Sequence, residues 1–288
     1  MVPRLSIFRL LVPFSERVGL MPVAHAPGGV EIRYGITGEG PPLLLVSGTG
    51  HDRTFWSGQL PLLEREFRCL VFDNRGVGDS SAPPPGYSLA DMADDALVVL
   101  DAVGIKKAHV IGFSMGGHIS QELCLRHPER VLSLGLHHTW AKNCARLGDF
   151  QATRKRIAER GDIETLAEFS LLGLYSHAYY DAHPDEMKEK CKWLANHSGR
   201  QQGWVGQLEA TLHGDTLDRL HQIKVPTLVT ASKLDLIIET HHAEEIHSRV
   251  EGSRMIILEG SGHVALIETP EKFARLCLDF LQEVVNAG

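Results

Sequence analysis

From Val30 onward, short β-rich runs alternate along the chain with amphipathic segments of helical period. Residues 31–36 alternate polar and apolar side chains and run into Gly38-Glu39-Gly40, which predicts a half-exposed strand followed by a turn. Residues 43–46 form a continuous apolar run closed by Gly48 and Gly50, the pattern of a strand buried on both faces. Segments 68–72, 109–112, 131–136, 227–230 and 255–258 repeat that theme. Helices fill the gaps. One is expected from Ser88, an N-cap with Asp91 three residues on, to a stop at Gly104. The last opens with Thr269-Pro270, and its apolar residues Phe273, Leu276, Cys277, Phe280, Leu281 and Val284 share one face. Strand–helix alternation of this kind implies an α/β fold: a mostly parallel central sheet with helices on both faces.

Between Trp140 and about Gln222 the alternation stops. Only helical segments are legible there, at 154–160, 163–172, 184–195 and 203–212, before Val225-Pro226 reopens the strand pattern. An interruption of roughly 80 residues is too long for a loop inside a compact domain. It reads as an inserted helical lid over one edge of the sheet. The expected division is therefore a discontinuous core, 23–140 and 223–288, a helical lid at 141–222, and an N-terminal extension at 1–22. In that extension Arg9, Glu16 and Arg17 interrupt every apolar run, so nothing approaches the roughly 20 apolar residues of a membrane span. Ala24-His25-Ala26 has the look of a cleavage site, but the stretch before it is too charged for a signal core. A poorly ordered tail is expected, with a weak targeting element or an interfacial helix as the alternatives, and a cytoplasmic location.

Composition narrows the function classes. Of 288 residues, 43% are hydrophobic and 23% charged, ordinary values for a globular protein that exclude disorder. Lys+Arg 29 against Asp+Glu 36 leaves a net charge of −7. A mildly acidic surface disfavours nucleic acid and stable membrane insertion, so the expected partner is a small-molecule substrate, with oligomeric state left open. The five cysteines are odd in number and none is spaced as a metal knuckle, so free thiols and no metal are expected.

The sharpest chemical signal is Gly112-Phe113-Ser114-Met115-Gly116, a G-x-S-x-G pattern between an apolar strand and a helical stretch. That context makes it a nucleophile elbow, with Ser114 on a strained strand-to-helix turn and the glycines allowing close backbone approach. A serine hydroxyl is a weak nucleophile near neutral pH and needs a base that is itself oriented. Asp235 follows the strand at 227–230, and His263 follows the strand at 255–258 through a flexible Gly-Ser-Gly. The order Ser114, Asp235, His263 is that of this elbow's usual triad. Of the other histidines, His109 reads as core, His118 as support for the elbow, and His137-His138 as possible pocket lining. Acyl transfer also needs oxyanion donors. The main-chain N–H groups of Thr49 and Met115 are the candidates, with Gly50 as the fallback for Thr49 and a plain turn as the alternative for that loop. Gly48, Gly50, Phe113, Trp140, Leu236, Ile237 and Val264 flank these positions and predict a mostly apolar pocket. Arg75 and Asp79, in Asp73-Asn74-Arg75-Gly76-Val77-Gly78-Asp79-Ser80, read as braces for neighbouring loops.

Together the elbow, the Asp and His loops, the D-x-R-G-x-G-x-S segment and the helical insertion resemble the α/β-hydrolase superfamily from about Gly29 to Val285. The Ser47-Gly48-Thr49-Gly50 loop and the Tyr87–Ala93 stretch look like its small-substrate branch of enol-lactonases, aminoacrylate hydrolases and carboxylesterases. Ser47 departs from the His that many members carry there; a main-chain donor tolerates the change. Ser at the elbow instead of Asp argues against dehalogenase and epoxide-hydrolase chemistry. Val264, where carbon–carbon bond hydrolases usually carry Trp, argues against that group. The resemblance implies a cofactor-free serine hydrolase acting on a small, mostly apolar carboxylic ester through an acyl-enzyme. Lactone or enol-lactone opening, C–N hydrolysis and perhydrolysis on the same triad are the alternatives, and a ligand sensor with incidental turnover is a further one. Without an Arg cluster in the motif loops, a highly charged substrate is not expected.

Overall fold

The computed structural model describes residues 21–197 and 200–287. Residues 1–20 of the expected N-terminal extension lie outside the described residues. Eight strands form one sheet: β1 (Val23–Ala26), β2 (Val30–Thr37), β3 (Pro42–Val46), β4 (Arg68–Phe72), β5 (Ala108–Phe113), β6 (Val131–His137), β7 (Thr227–Ser232) and β8 (Arg254–Leu258). Their order across the sheet is β1-β2-β4-β3-β5-β6-β7-β8. The first two pairings, β1 with β2 and β2 with β4, are antiparallel; from β4 to β8 every pairing is parallel. The central strands explain their own sequences. Every residue of β5 and β7 is buried, so no polar face alternates, whereas edge strand β8 is exposed at Arg254 and Ile257. The short strand β1 has no apolar run to announce it. It forms because residues 23–26 pair in register with 30–33 across a tight turn.

Helices α1 (Leu60–Leu63), α2 (Leu89–Ala102) and α3 (Met115–Arg126) follow β3, β4 and β5. Ser88 and Asp91 form a reciprocal capping box at the start of α2. Between β6 and β7 lie five helices in succession, α4 (Ala145–Glu159), α5 (Ile163–Leu174), α6 (His177–Ala182), α7 (Pro184–His197) and α8 (Gln201–His213). Ala158, Leu166, Ala167, Leu194, Trp204 and Leu208 from these helices build a small apolar cluster separate from the main core. After β7 come α9 (Thr240–Arg249), then, beyond β8, α10 (Ala265–Glu268) and α11 (Pro270–Ala287). Helix α11 buries Phe273, Cys277, Phe280 and Leu281 and exposes its opposite face.

A tight backbone crossing lies where β5 turns into α3. A Cβ on Gly112 would overlap the Gly116 carbonyl, and one on Gly116 would overlap the Val46 carbonyl of β3. Strand, turn and helix therefore touch backbone to backbone. Gly116→Ala is expected to cost about 3 kcal/mol, the upper end of overpacking. Gly148→Ala, on α4 with open space around it, is expected to gain about 0.5–1 kcal/mol from helix propensity. Urea unfolding of the two variants checks this pair, and equal effects would contradict the packing described.

Candidate active site

Ser114 caps α3 with φ 55° and ψ −121°, a backbone conformation that non-glycine residues rarely adopt. Its own N–H donates to His137 O at 2.9 Å, and its carbonyl accepts from Gly117 N–H at 2.9 Å and the Thr139 hydroxyl at 2.7 Å. The turn is thus fastened on both sides. Two loops at the C-terminal edge of the sheet come to meet it. His263 Nε2 lies 3.0 Å from Ser114 Oγ, and His263 Nδ1 lies 2.7 Å from Asp235 Oδ2. Asp235 is buried, and its Oδ1 accepts the Ile237 and Ile238 N–H groups, each at 2.8 Å. Those two bonds satisfy the oxygen that His263 does not use and fix the carboxylate's orientation.

Histidines 137 and 138 do not line the cavity; they stand behind it. Both are fully buried, and burial pushes both down to about 3, so they are neutral. His137 Nδ1 meets the Thr230 hydroxyl at 2.8 Å. His138 Nε2 meets Ser232 Oγ at 2.7 Å, and Ser232 Oγ meets Ser261 Oγ at 2.8 Å, linking the end of β7 to the loop of His263. Phe113 stacks on His138 with centroids 5.0 Å apart and presents an edge to His263 at 5.4 Å. His118, likewise buried, contacts the Trp140 carbonyl through Nδ1 at 3.1 Å beneath the elbow.

Gly48, Thr49, Phe113, Ser114, Ile237, His263 and Val264 line one small cavity, of about 20 Å³. Among the described residues, neither the Thr49 nor the Met115 N–H meets an acceptor. Three expectations fail. Gly50 is neither a spare oxyanion donor nor part of the cavity lining, because its N–H already donates to Gln207 Oε1 at 2.9 Å and it packs against the Trp204 ring. Trp140 is fully buried against His118, away from the cavity, since its carbonyl takes part in holding α3. Leu236 is 51% exposed and points outward; the neighbouring Ile237 fills the pocket position. The pocket is also less apolar than expected. Gln151 and Arg154 from α4, and His51, complete its wall. His51, Phe55 and Leu174 are shared with a second cleft of about 410 Å³, lined further by Leu171, Trp193 and Leu266. Burial, with Arg154 nearby, pushes His51 down to about 4.

The motif segment after β4 is a brace. Asp73 pairs with Arg53 and accepts the Arg53 and Asp79 N–H groups, while Arg75 grips Asp95 through Nε at 2.6 Å and Nη2 at 2.8 Å. Two residues that motif reading missed tie the insertion to the site. Gln207 on α8 accepts from Gly50 N–H and donates to Arg75 O at 2.8 Å. Glu268 on α10 accepts Gly262 N–H at 3.1 Å and, from Ser176 at the N-cap of α6, the N–H at 2.8 Å and the hydroxyl at 2.7 Å. Elsewhere, Cys144, His241 and His242 bring three possible metal-ligand atoms within 4.8 Å of one another. None of them lines the Ser114 cavity.

A parallel sheet whose central strand turns through a strained serine into a helix, with Asp and His loops converging on it, defines the α/β-hydrolase fold. The chain belongs to the α/β-hydrolase family and is a hydrolase; residues 41–160 match the family model described as alpha/beta hydrolase fold. A relative from Azorhizobium caulinodans, provisionally named carbamate hydrolase RutD, is 31% identical over 92% of this chain and 99% of its own. Among solved structures, a hydrolase from Pseudomonas aeruginosa PA01 superposes with a TM-score of 0.85 at 29% identity, over 92% of this chain and 99% of that one. The enol-lactonase from Burkholderia xenovorans LB400 does so with 0.84 at 28%, over 91% and 100%. A thermophilic esterase from Thermogutta terrifontis, in a malate-bound structure, gives 0.83 at 26%, over 92% and 99%.

Gln207→Leu is expected to leave the Gly50 N–H and the Arg75 carbonyl buried without partners and to cost about 2 kcal/mol or more. Denaturant unfolding measures it, and a loss under about 0.5 kcal/mol, the size of an ordinary surface change, would show that these bonds are replaceable.

Proposed function

We propose that the protein is a serine hydrolase that cleaves a small carboxylic ester through an acyl-enzyme on Ser114. The observation that carries this reading is the unbroken relay from Asp235 Oδ2 to His263 Nδ1 at 2.7 Å and from His263 Nε2 to Ser114 Oγ at 3.0 Å. Both distances lie within the reach of proton transfer. Asp235, pinned by the Ile237 and Ile238 N–H groups, keeps the Nδ1 proton on His263 and leaves Nε2 free to accept. Ser114 Oγ attacks the substrate carbonyl while Nε2 takes its proton. The developing oxyanion is received by the Met115 and Thr49 N–H groups. His263 then protonates the leaving group, which departs and leaves the acyl group on Ser114. A water enters, gives its proton to the same nitrogen, and releases the acid and the free serine. Helices α4 and α5 contribute Gln151, Arg154 and Leu174 to the chamber wall and so cover the reacting groups.

A C–N bond is the second reading, favoured by the carbamate hydrolase name of the Azorhizobium relative. The enol-lactonase neighbour extends the substrates worth testing to lactones. All of these reactions use the same attack and the same relay; they differ in the leaving group that His263 must protonate.

Ser114→Ala is expected to abolish hydrolysis of p-nitrophenyl acetate and butyrate and labelling by a fluorophosphonate. Asp235→Asn is expected to lower kcat by about 10⁴-fold with the fold intact, as loss of the orienting carboxylate does in such triads. Unchanged turnover in the Ser114 variant would remove Ser114 from the mechanism. A panel of graded acyl esters, lactones and carbamates, ranked by kcat/KM, then decides between the readings.

A further inference from the structure

Arg154 stands on α4 with only 5% of its surface exposed, in the wall of the chamber that holds Ser114 and His263. Its guanidinium is held by neutral groups. Nε donates to Ser170 Oγ at 3.1 Å and Nη1 to Gln151 Oε1 at 3.0 Å, and Cζ lies over the rings of Phe150 and Trp204, 5.7 and 5.5 Å from their centroids. Among the described residues, no carboxylate lies within ion-pairing distance of it, and Nη2 makes no hydrogen bond to protein. The other buried arginines of this chain are different. Arg53 pairs with Asp73, and Arg75 pairs with Asp95. Burial draws Arg154 down only to about 10, so the group is a full cation at neutral pH.

A buried cation with no anion beside it costs folding free energy that a well-packed apolar residue would not. The guanidinium is also a planar fork with donors to spare, the shape that receives a carboxylate. We propose that Arg154, with Gln151 beside it, is a specificity-determining residue that binds a carboxylate carried by the substrate. The enzyme would then act on the acidic half-ester of a short dicarboxylic acid. This rests on the hydrolytic reading above. The ester carbonyl lies at Ser114 and the free carboxylate at Arg154, so the fragment between them is short: the chamber enclosing both is only about 20 Å³ as it stands. The remainder of the substrate passes His51, Phe55 and Leu174 into the larger cleft.

The test is a matched pair followed by pH-stat, monomethyl glutarate against methyl valerate, at fixed ionic strength. The wild-type enzyme is expected to favour the half-ester in kcat/KM by about 10-fold or more, the usual worth of a charge-assisted hydrogen bond. In Arg154→Met that ratio is expected to fall by about 10- to 100-fold, and in Arg154→Lys to recover in part. A wild-type ratio at or below one, or a ratio that Arg154→Met leaves in place, overturns the proposal. Because Arg154 also packs on Trp204, a second measurement does not depend on the fold of that variant. Calorimetry on the Ser114→Ala protein is expected to detect saturable binding of glutarate that monomethyl glutarate displaces and glutaramide does not. Absence of that binding overturns the carboxylate site even where wild-type enzyme hydrolyses methyl valerate, in which case the serine-hydrolase reading stands. Glutarate binding together with full turnover by Ser114→Ala would instead remove the serine mechanism and keep the anion site.

Discussion

The backbone crossing of β5, its turn and α3 over the end of β3 is the constraint on which the rest of the site depends. At Gly112 and Gly116 there is no room for a side chain, so the turn cannot relax into an ordinary helix start. The strain collects at Ser114, whose φ of 55° is held by the His137 carbonyl on one side and by Gly117 and Thr139 on the other. Held in this way, the hydroxyl stands clear of the helix and within reach of His263, while the first N–H of α3, on Met115, is left without an acceptor. One packing contact thus sets both the position of the hydroxyl and the availability of a main-chain donor beside it.

The sheet supplies direction but not tolerance. β7 and β8 lead towards the candidate triad, yet Asp235 and His263 each sit several positions beyond their strand, on a loop that the sheet does not hold. Precision comes from three sets of bonds. The Ile237 and Ile238 N–H groups clamp Asp235. The His138–Ser232–Ser261 chain joins the two loops. Glu268, together with the Val264 N–H to Leu174 O bond at 3.0 Å, binds the His263 loop to the helical insertion. The insertion is therefore part of the scaffold that positions the site as well as its cover, because Gln207 and Glu268 fasten it to loops on two sides of Ser114.

These origins explain what could be read along the chain. The candidate triad Ser114, Asp235 and His263 was legible because each member is announced by its own neighbours: an apolar strand, then glycines or a short loop, then the residue itself. The strand and helix pattern was legible for the same reason, and β1 was not, because it exists only by pairing with β2. Pocket membership is a different kind of fact. Leu236 and Ile237 are adjacent and both apolar, but the two Asp235 bonds turn the chain so that one faces inward and the other faces solvent. Trp140 follows a functional strand yet is consumed in holding α3. Arg154 opens a run, Arg-Lys-Arg, that along the chain looks like the solvated face of a helix; Lys155 and Arg156 are of that kind and Arg154 is not. The approach of α5 and α8, with Ser170 and Trp204 against Arg154, separates them.

The electrostatics of the chamber follow from that same approach. Gly50 has no side chain, so the Trp204 ring lies directly on the loop that carries the Thr49 N–H, and the far edge of the helical cluster receives the Arg154 guanidinium. A positive charge thereby sits buried in the chamber wall, where its field is weakly screened. Its effect on neighbours is already visible in His51, which burial and the Arg154 charge together keep neutral. An oxyanion forming on Ser114 would feel the same field, and so would any acid left in the chamber after deacylation. In the proposed acyl-enzyme reaction, a cation that favours the first negative charge also favours the last one, so the product acid would leave by exchanging Arg154 for water. The cleft of about 410 Å³ adjoins the chamber through the shared residues His51, Phe55 and Leu174.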